Sequence, residues 1–141
     1  MVRSFFERFI GRHKVEEVEE EVFAEMESCL YCGAALSSSE PFQHYRVCPS
    51  CGFHYTLPAG ARIELLVDEG SFKEVNRSLA SLDPLSFSGE ASYKKRIFDA
   101  QKRTGLPEAV VTGLCQIEGN PAVIIVLDFG FLGGSMGCVV G

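Results

Sequence analysis

The stretch CLYCGAALSSSEPFQHYRVCPSCG, residues 29–52, decides how the first part of the chain folds. It follows the pattern C-x2-C-x15-C-x2-C, in which each Cys-x-x-Cys pair makes a tight turn that aims two sulfur atoms at one point. Four thiolates can surround one ion tetrahedrally, and zinc is the natural occupant because it favours soft sulfur ligands at about 2.3 Å. The sequence predicts one structural zinc ion in a zinc ribbon. Its predicted ligands are Cys29, Cys32, Cys48 and Cys51.

Two other uses of the four cysteines stay open, an iron–sulfur site and a redox dithiol. A dithiol oxidoreductase would place one pair before a helix in a βαβ setting, and neither pair has that context. A shell of four cysteines leaves no position for water or substrate, so the site supports structure and not catalysis. His54 is interpreted as a packing neighbour of this site, because four sulfurs already complete the set. Cys115 and Cys138 are expected to be small buried apolar side chains.

The composition limits the classes of function. A chain of 141 residues that is 46% hydrophobic can bury one modest core with a small appendage. Its formal net charge of -6 argues against a general nucleic-acid binder, which carries a basic surface. No apolar run approaches the ~20 residues that cross a bilayer, and the N-terminus lacks the features of a secretory signal. We therefore expect an intracellular protein without a transmembrane segment.

The first 26 residues are predicted to form a short amphipathic helix and an acidic linker. The apolar residues that recur at helical spacing are Val2, Phe5, Phe6, Phe9 and Ile10. This pattern favours a helix docked on its own domain or on a partner subunit; a membrane-surface anchor is the alternative, although the basic face is small. The residues that follow, 15–27, hold glutamates but no basic residue, which is typical of a solvated segment.

Beyond the cysteines, helical and β-rich segments follow one another. Helices are predicted over residues 62–68 and 88–104. Ser88 or Glu90 can start the second helix, and Gly105 supplies its stop. Two β-rich runs, residues 109–119 and 122–129, are divided by a Gly-Asn-Pro break that is typical of a hairpin. The second run is apolar without alternation, which predicts a strand covered on both faces. Because an isolated hairpin is marginal in water, we expect this segment to need partners for full folding.

Two further features are candidate binding sites. Gly133, Gly134 and Ser135 lie in a glycine-rich turn, where backbone N–H groups can bind an anion or a carbonyl; glycines there equally permit close packing. The predicted helix over residues 88–104 carries a cluster of positive charge. Such a cluster is either a solvated face or a landing place for a phosphorylated substrate or nucleic acid. The cluster consists of Lys94, Lys95, Arg96, Lys102 and Arg103.

Five segments then carry a resemblance. They are ESCLYCGAAL (27–36), VCPSCGFHYTLPAGARIELLVDEGSF (47–72), LDPLSF (82–87), YKKRIFDAQKRTGLPEAVVTG (93–113) and IEGNPAVIIVLDFGFLGGSMGCVVG (117–141). In order, they resemble the β subunit of bacterial and plastid acetyl-CoA carboxylase carboxyltransferase. Even the opening FFERF is similar to that family's short N-terminal helix. Several independent motifs in the right order make the resemblance more specific than any one of them.

The resemblance implies a fold class and a domain organisation. The fold class is α/β: a truncated crotonase-like domain, a spiral of ββα units, preceded by an N-terminal four-cysteine zinc ribbon. The domains would be the helix and linker at residues 1–26, the zinc ribbon at 27–56 and the carboxyltransferase part at 57–141. The four cysteines match the family's zinc ligands residue by residue.

The resemblance also implies an activity. The family transfers a carboxyl group from carboxybiotin to acetyl-CoA, yielding malonyl-CoA for fatty-acid biosynthesis. Its β subunit pairs with an α subunit in an α2β2 assembly and works with biotin carboxylase and the biotin carboxyl carrier protein, through which alone biotin would enter. Nucleotide and ATP binding, and a location in the cytoplasm or in the plastid stroma of a plant, are expected on the same ground.

One departure from the family pattern removes any catalytic assignment. Family members are much longer, and their further half carries a Ser-Gly-Gly-Ala-Arg run whose backbone N–H groups form an oxyanion hole. No such run occurs here, and Gly133 and Gly134 match an earlier turn of the family. We predict no catalytic residue, and we expect the chain alone to be inactive. The alternative is a zinc-ribbon module that binds RNA or DNA or has a structural role, although residues 29–52 hold a single basic residue, Arg46.

Overall fold

The computed structural model describes residues 26–141. The amphipathic helix and acidic linker predicted over residues 1–26 lie outside the described residues, apart from Met26. The described chain divides into two compact units, residues 26–57 and residues 58–141. Within residues 26–141, every helix is too short or too polar to span a membrane.

The smaller unit, residues 26–57, is built mostly of loops around the cysteine pairs. Helix α1 (Glu40–Tyr45) begins after Ser39, whose hydroxyl accepts a hydrogen bond from the backbone N–H of Phe42 at 3.4 Å. Two isolated antiparallel bridges close the loops that carry the cysteines: Ser28 with Ala35, and Val47 with His54. Because so little of this unit is regular secondary structure, its stability depends on the packing at its centre.

The larger unit, residues 58–141, is an α/β structure with a three-stranded antiparallel sheet. The strands lie in the order β1 (Lys73–Val75), β2 (Val110–Ile117) and β3 (Asn120–Leu127). The helices are α2 (Ala59–Leu66) and α3 (Tyr93–Thr104), and a tight 3-10 turn (Leu132–Gly134) follows the sheet. The predicted helices and the predicted hairpin are therefore confirmed in kind, and β1 supplies a third strand.

The boundaries of the helices differ from the prediction. Helix α2 begins three positions earlier than expected, and α3 begins at Tyr93, five positions later. The Ser92 hydroxyl accepts a hydrogen bond from the backbone N–H of Lys95 at 3.3 Å, so Ser92 and not Ser88 caps α3. Gly105, with φ of 66°, ends α3 as the sequence predicts.

The hairpin between β2 and β3 turns earlier than the Gly-Asn-Pro motif suggests. Glu118 and Gly119 have φ of 50° and 77°, as a two-residue type I′ turn requires. The Asp68 carboxylate accepts hydrogen bonds from both of their backbone N–H groups, at 2.8 and 2.7 Å. Asn120 and Pro121 therefore open β3, where a proline is tolerated because β3 is an edge strand of the sheet that residues 26–141 form.

One face of the sheet and α2 enclose the first core cluster. Its buried members are Ala59, Ile63, Phe72, Val111, Cys115 and Val126. Cys115 is thus a buried apolar side chain, as predicted, whereas Cys138 is exposed, so that prediction is wrong. Gly113 lies where β2 passes Phe72, and a Cβ at Gly113 would lie 2.2 Å from the Phe72 ring.

The other face of the sheet is exposed within the described residues. Val123 and Ile125 of β3 are 69% and 68% exposed, and Leu114, which pairs with Val123, is 51% exposed. The prediction that this strand is covered on both faces is therefore wrong for residues 26–141. A run of apolar residues indicates that both faces of a strand are shielded from water, but it does not indicate which polypeptide covers the second face.

The second core cluster joins α3 to the chain that follows the sheet. Its buried members are Ile97, Ala100, Ala109 and Phe131. Phe131 has no exposed surface, so it anchors the start of the glycine-rich turn against α3. The Arg103 guanidinium adds a hydrogen bond of 2.7 Å to the carbonyl oxygen of Gly130.

Asp128 connects the end of β3 to the start of α2. Its buried carboxylate accepts hydrogen bonds from the backbone N–H groups of Ala59, at 2.7 Å, and Gly130, at 2.8 Å. Ala59 is the first residue of α2, and Pro58 before it has no side chain that could cap the helix. Asp128 therefore satisfies a helix donor from a position 69 residues away in sequence.

We expect Asp128→Asn to lower the free energy of unfolding of residues 58–141 by about 1–2 kcal/mol. One of the two N–H donors would then face an amide N–H2 group instead of an oxygen. Amide hydrogen exchange across α2 measures the effect. Asp99→Asn, on an exposed position of α3, is the matched control and should leave exchange unchanged; an equal loss in both variants would contradict the capping role.

Candidate metal centre

Equivalent backbone hydrogen bonds hold the two cysteine pairs. The N–H of Gly33 donates to the carbonyl oxygen of Cys29 at 2.8 Å, and that of Gly52 donates to Cys48 at 3.0 Å. Both glycines have positive φ, 73° and 70°, a conformation that other residues adopt at a cost. The glycine after each Cys-x-x-Cys pair therefore lets the chain turn back around its two sulfurs.

Each cysteine pair, together with the residues that follow it, forms one half of the site. A second backbone hydrogen bond occurs at the equivalent position within each half. The Cys29 N–H donates to the carbonyl oxygen of Ala34 at 2.7 Å, and the Cys48 N–H donates to that of Phe53 at 2.8 Å. Each half is thus a closed loop formed by contacts between residues that are close in sequence. The sulfur positions within a half follow from this local geometry.

The four sulfur atoms meet in one place. The Sγ atoms of Cys29 and Cys51 lie 3.9 Å apart, those of Cys32 and Cys48 lie 3.6 Å apart, and all four lie within 4.8 Å of one another. Four sulfurs at about 2.3 Å from a tetrahedral ion would be about 3.8 Å apart. The four cysteines that the sequence analysis selected are therefore brought together and could hold a metal ion.

The same distances bear on the alternatives. All four residues are free cysteines, so the pairs do not form disulfides. A cluster with several irons and inorganic sulfides between its cysteines needs more room than this arrangement offers. The geometry favours a single ion.

The pKa values of the Cys29 and Cys51 thiols are shifted in opposite directions. The hydroxyl of Tyr55 donates to the Cys29 sulfur and lowers the pKa of Cys29 to about 6, against the opposing effect of burial. At Cys51 the backbone N–H of Phe53 lowers the pKa, but desolvation and the neighbouring sulfurs outweigh it and raise the pKa of Cys51 to about 12. Four thiolates repel one another, and a bound cation removes that penalty.

The buried centre of this unit includes two of the four cysteines. Cys29 and Cys48 are 3% and 1% exposed and pack with Leu36 and Phe42, whereas Cys32 and Cys51 are exposed. Phe42, Phe53 and Tyr55 add edge-to-face ring contacts. The core of the unit and its candidate metal site are therefore one structure.

Tyr55 is the residue beside the sulfurs that the sequence analysis missed. Its hydroxyl donates to Cys29 Sγ at 3.2 Å and accepts from the backbone N–H of Leu30 at 3.0 Å. His54, the neighbour that the sequence analysis chose, has an exposed side chain. Because successive residues of an extended segment face opposite ways, His54 facing outward puts Tyr55 inward. This alternation along an extended segment is the sequence signal that could have identified Tyr55.

We expect Tyr55→Phe to weaken metal binding by about tenfold, since it removes a hydrogen bond that orients a ligand sulfur. Competition with a chromophoric chelator measures the change. Tyr31→Phe is the matched control: the centres of the Tyr31 and Phe53 rings lie 5.5 Å apart, and Tyr31 contacts the Cys29 sulfur through its backbone N–H, which the substitution keeps. Equal metal affinity in Tyr55→Phe and the unmodified chain would contradict the role of Tyr55.

The glycine turn lies in the larger unit, after β3. Leu132, Gly133 and Gly134 have φ of 47°, 70° and 67°, three consecutive residues in the left-handed region. The N–H of Gly134 donates to the carbonyl oxygen of Phe131 at 2.9 Å, and Ser135 is exposed. The glycines therefore make a reversal that most residues could not, and the prediction that they contact a substrate stays a prediction.

Comparison with known proteins identifies relatives. No protein-family model matches the chain. The acetyl-coenzyme A carboxylase carboxyl transferase subunit beta of Prochlorococcus marinus (strain MIT 9303) is 41% identical over 134 residues, which cover 95% of this chain and 45% of the relative. The proteins of the same name from Thermus thermophilus and Synechococcus are 47% identical over 113 residues and 38% identical over 144 residues. These matches cover 80% and 98% of this chain, and 39% and 49% of the relatives.

The chain thus spans about half the length of the curated relatives it matches. The match extends over both units, including the cysteine pairs and the sheet. It follows that the chain belongs to the family of acetyl-CoA carboxylase carboxyltransferase β subunits and corresponds to the N-terminal portion of its members.

Proposed function

We propose that Cys29, Cys32, Cys48 and Cys51 bind one structural zinc ion. The sulfur separations of 3.6 and 3.9 Å bracket the edge of a tetrahedral site, and zinc combines a preference for thiolates with no redox chemistry. With four protein ligands the ion would have no open position, so its contribution is to the folding of residues 26–57.

Metal analysis of the purified full chain tests the identity of the ion. We expect one zinc per chain and, after exchange with cobalt, the visible spectrum of a tetrahedral four-thiolate site. Iron together with inorganic sulfide would replace the zinc proposal with an iron–sulfur site. If the reduced and folded chain contains no metal, both the zinc site and the iron–sulfur site are ruled out.

The domain organisation is part of the same proposal. We infer a zinc ribbon at residues 27–56 and, at residues 57–141, the first part of a crotonase-like domain of ββα units. An antiparallel hairpin, β2 and β3, and a short turn that leads onward from it support this assignment. The exposed apolar face of the sheet also supports it, because a layer beyond the described chain would cover that face.

We propose that the chain serves as part of a carboxyltransferase that moves a carboxyl group from carboxybiotin to acetyl-CoA. The observation that carries this is the match over 95% of the chain, at 41% identity, to a protein named for that activity. The partners would be the α subunit, the biotin carboxyl carrier protein and biotin carboxylase. Biotin would come only on the carrier protein.

The chemistry defines what this chain can contribute. Carboxylation at the acetyl methyl group passes through an enolate, whose negative oxygen is stabilised by backbone N–H donors. We propose that Gly133, Gly134 and Ser135 line the acyl-CoA site, since their turn exposes backbone at the end of β3. No residue among 26–141 is assigned to proton transfer, so the reaction would require further polypeptide.

Reconstitution tests the proposed function. The full chain is combined with the C-terminal portion and the α subunit of a relative, together with biotin carboxylase and carrier protein, and malonyl-CoA formation is measured. We expect turnover only when every component is present. Malonyl-CoA formation by the chain without the other components, or no formation by the complete mixture while the relative's own β subunit restores it, would contradict the proposal.

A further inference from the structure

Helix α3 carries an exposed aromatic ring surrounded by lysines. Lys94, Phe98 and Lys102 follow one another at four-residue intervals and so share a face, and Lys95 lies beside them. We call these four residues the α3 strip. The opposite face of α3 is buried through Ile97, Ala100 and Thr104, so the strip lies on the solvent side.

The packing of the unit does not account for Phe98. Phe98 is 53% exposed although α3 already buries its other face in the second core cluster. The ammonium nitrogen of Lys102 lies 4.4 Å from the centre of the Phe98 ring, a cation–π contact that holds the two side chains together on the surface. An aromatic ring kept in solvent between cations is a feature of ligand surfaces more than of cores.

Within residues 26–141, the lysines of the strip also lack acidic partners: none of Lys94, Lys95 and Lys102 forms an ion pair. The one acidic residue of α3, Asp99, is exposed at the border of the strip. Unlike Arg103, whose guanidinium binds the Gly130 carbonyl oxygen, the three lysines are available to an anion.

An aromatic ring between ammonium groups fits a phosphorylated nucleoside. A nucleobase stacks on an aromatic side chain, and the phosphates next to it meet the cations. The Lys102 ammonium lies over one face of the Phe98 ring, so a base would stack on the other face, with its phosphates near the lysines of the strip.

We propose that the α3 strip binds the phosphorylated adenosine of an acyl-CoA, with the base on Phe98 and the phosphates at Lys94, Lys95 and Lys102. The proposal rests on the proposed function, which supplies acetyl-CoA as the substrate. It assigns this chain the end of the substrate that is far from the reacting carbon.

The position of α3 supports this assignment. The helix packs on Phe131 at the start of the glycine turn, and Arg103, one residue beyond the strip, binds Gly130 there. Lys94 and Lys102 are eight residues apart, about 12 Å along the helix axis. The strip and the glycine turn therefore belong to the same unit, and a long, narrow ligand whose nucleotide lies on the strip would have to extend around α3 to reach the turn.

Calorimetric titration of the full, zinc-loaded chain with 3′,5′-ADP tests the strip without any turnover. We expect saturable binding that Lys94→Gln combined with Lys102→Gln weakens by about tenfold, because two charges facing phosphate are lost. Phe98→Ala should weaken it by about tenfold as well, through the lost stacking. Arg96→Gln, which removes one positive charge from the same helix outside the strip, should alter the affinity less than about twofold.

Several outcomes would overturn the proposal. They are an absence of saturable binding, an equal loss in Arg96→Gln, and an unchanged affinity in Phe98→Ala. A single-stranded oligonucleotide is the second arm: if it binds the strip and 3′,5′-ADP does not displace it, the strip serves nucleic acid and the acyl-CoA assignment is wrong.

The reconstituted assembly separates this proposal from the proposed function. Turnover in which Lys94→Gln with Lys102→Gln leaves the KM for acetyl-CoA unchanged would remove the strip and keep the carboxyltransferase. Binding of 3′,5′-ADP by the chain, in an assembly that never forms malonyl-CoA, would keep the strip and remove the carboxyltransferase.

Discussion

Cys48→Ser is expected to unfold residues 27–55 and to leave residues 58–141 folded. The Cys48 sulfur lies 3.6 Å from that of Cys32, and its side chain is 1% exposed, so the substitution removes a ligand and alters the core together. In small zinc modules the apparent metal-binding free energy, about 10–16 kcal/mol at neutral pH, is largely the folding free energy. The larger unit has two core clusters of its own and no member of the cysteine cluster.

Amide hydrogen exchange with zinc present, resolved by peptide, measures this result. Peptides from residues 27–55 should lose all protection in Cys48→Ser, and the unmodified chain should lose the same protection when a chelator removes the metal. Cys138→Ser is the matched control, because Cys138 is exposed and lies outside the four sulfurs. Slow exchange of residues 27–55 after complete metal removal would contradict a structural metal.

Gly113→Ala is expected to destabilise residues 58–141 by about 3 kcal/mol, a large effect for one methyl group. A Cβ at Gly113 would lie 2.2 Å from the Phe72 ring and 2.8 Å from the Lys73 carbonyl oxygen. The ring is buried in the first core cluster, and the carbonyl belongs to β1, which pairs with β2 at this point. Neither neighbour can withdraw without opening the sheet.

Chemical denaturation measures the loss in the free energy of unfolding, and amide hydrogen exchange shows whether the loss occurs at β2. Gly89→Ala is the matched control, since its new Cβ would meet only the Phe87 ring at 3.9 Å; its effect should stay within about 0.5 kcal/mol. Combining Gly113→Ala with Phe72→Ala should cost less than the sum of the two single changes, because the ring that obstructs the Cβ is gone. Strictly additive losses would place the strain elsewhere.

The cysteine site could be predicted from the sequence because its geometry is local. Each half needs only a Cys-x-x-Cys pair and a following glycine, and both requirements are visible within five residues. Tyr55 was not predicted, since its contact with Cys29 spans 26 positions and depends on how the two halves meet. Spacing therefore identified the ligands but not the side chain that orients one of them.

The larger unit shows the same division. Helix α3 follows from its periodicity and the two long strands follow from their β-rich composition. The start of α2 depends on Asp128, a residue that no local pattern connects to Ala59. The turn at Glu118 and Gly119 was placed wrongly because Asp68, distant in sequence, holds its N–H groups. Long-range partners of backbone donors decide these boundaries.

The uncovered side of the sheet determines how the purified chain will behave. Leu114 and Val123 lie opposite each other across β2 and β3, with Ile125 next to them, and β3 has no strand beyond it within residues 26–141. Exposed apolar side chains beside an unpaired strand edge promote self-association as the protein concentration rises. Ile125→Lys should reduce this self-association without disturbing the interior, because Ile125 points away from the first core cluster.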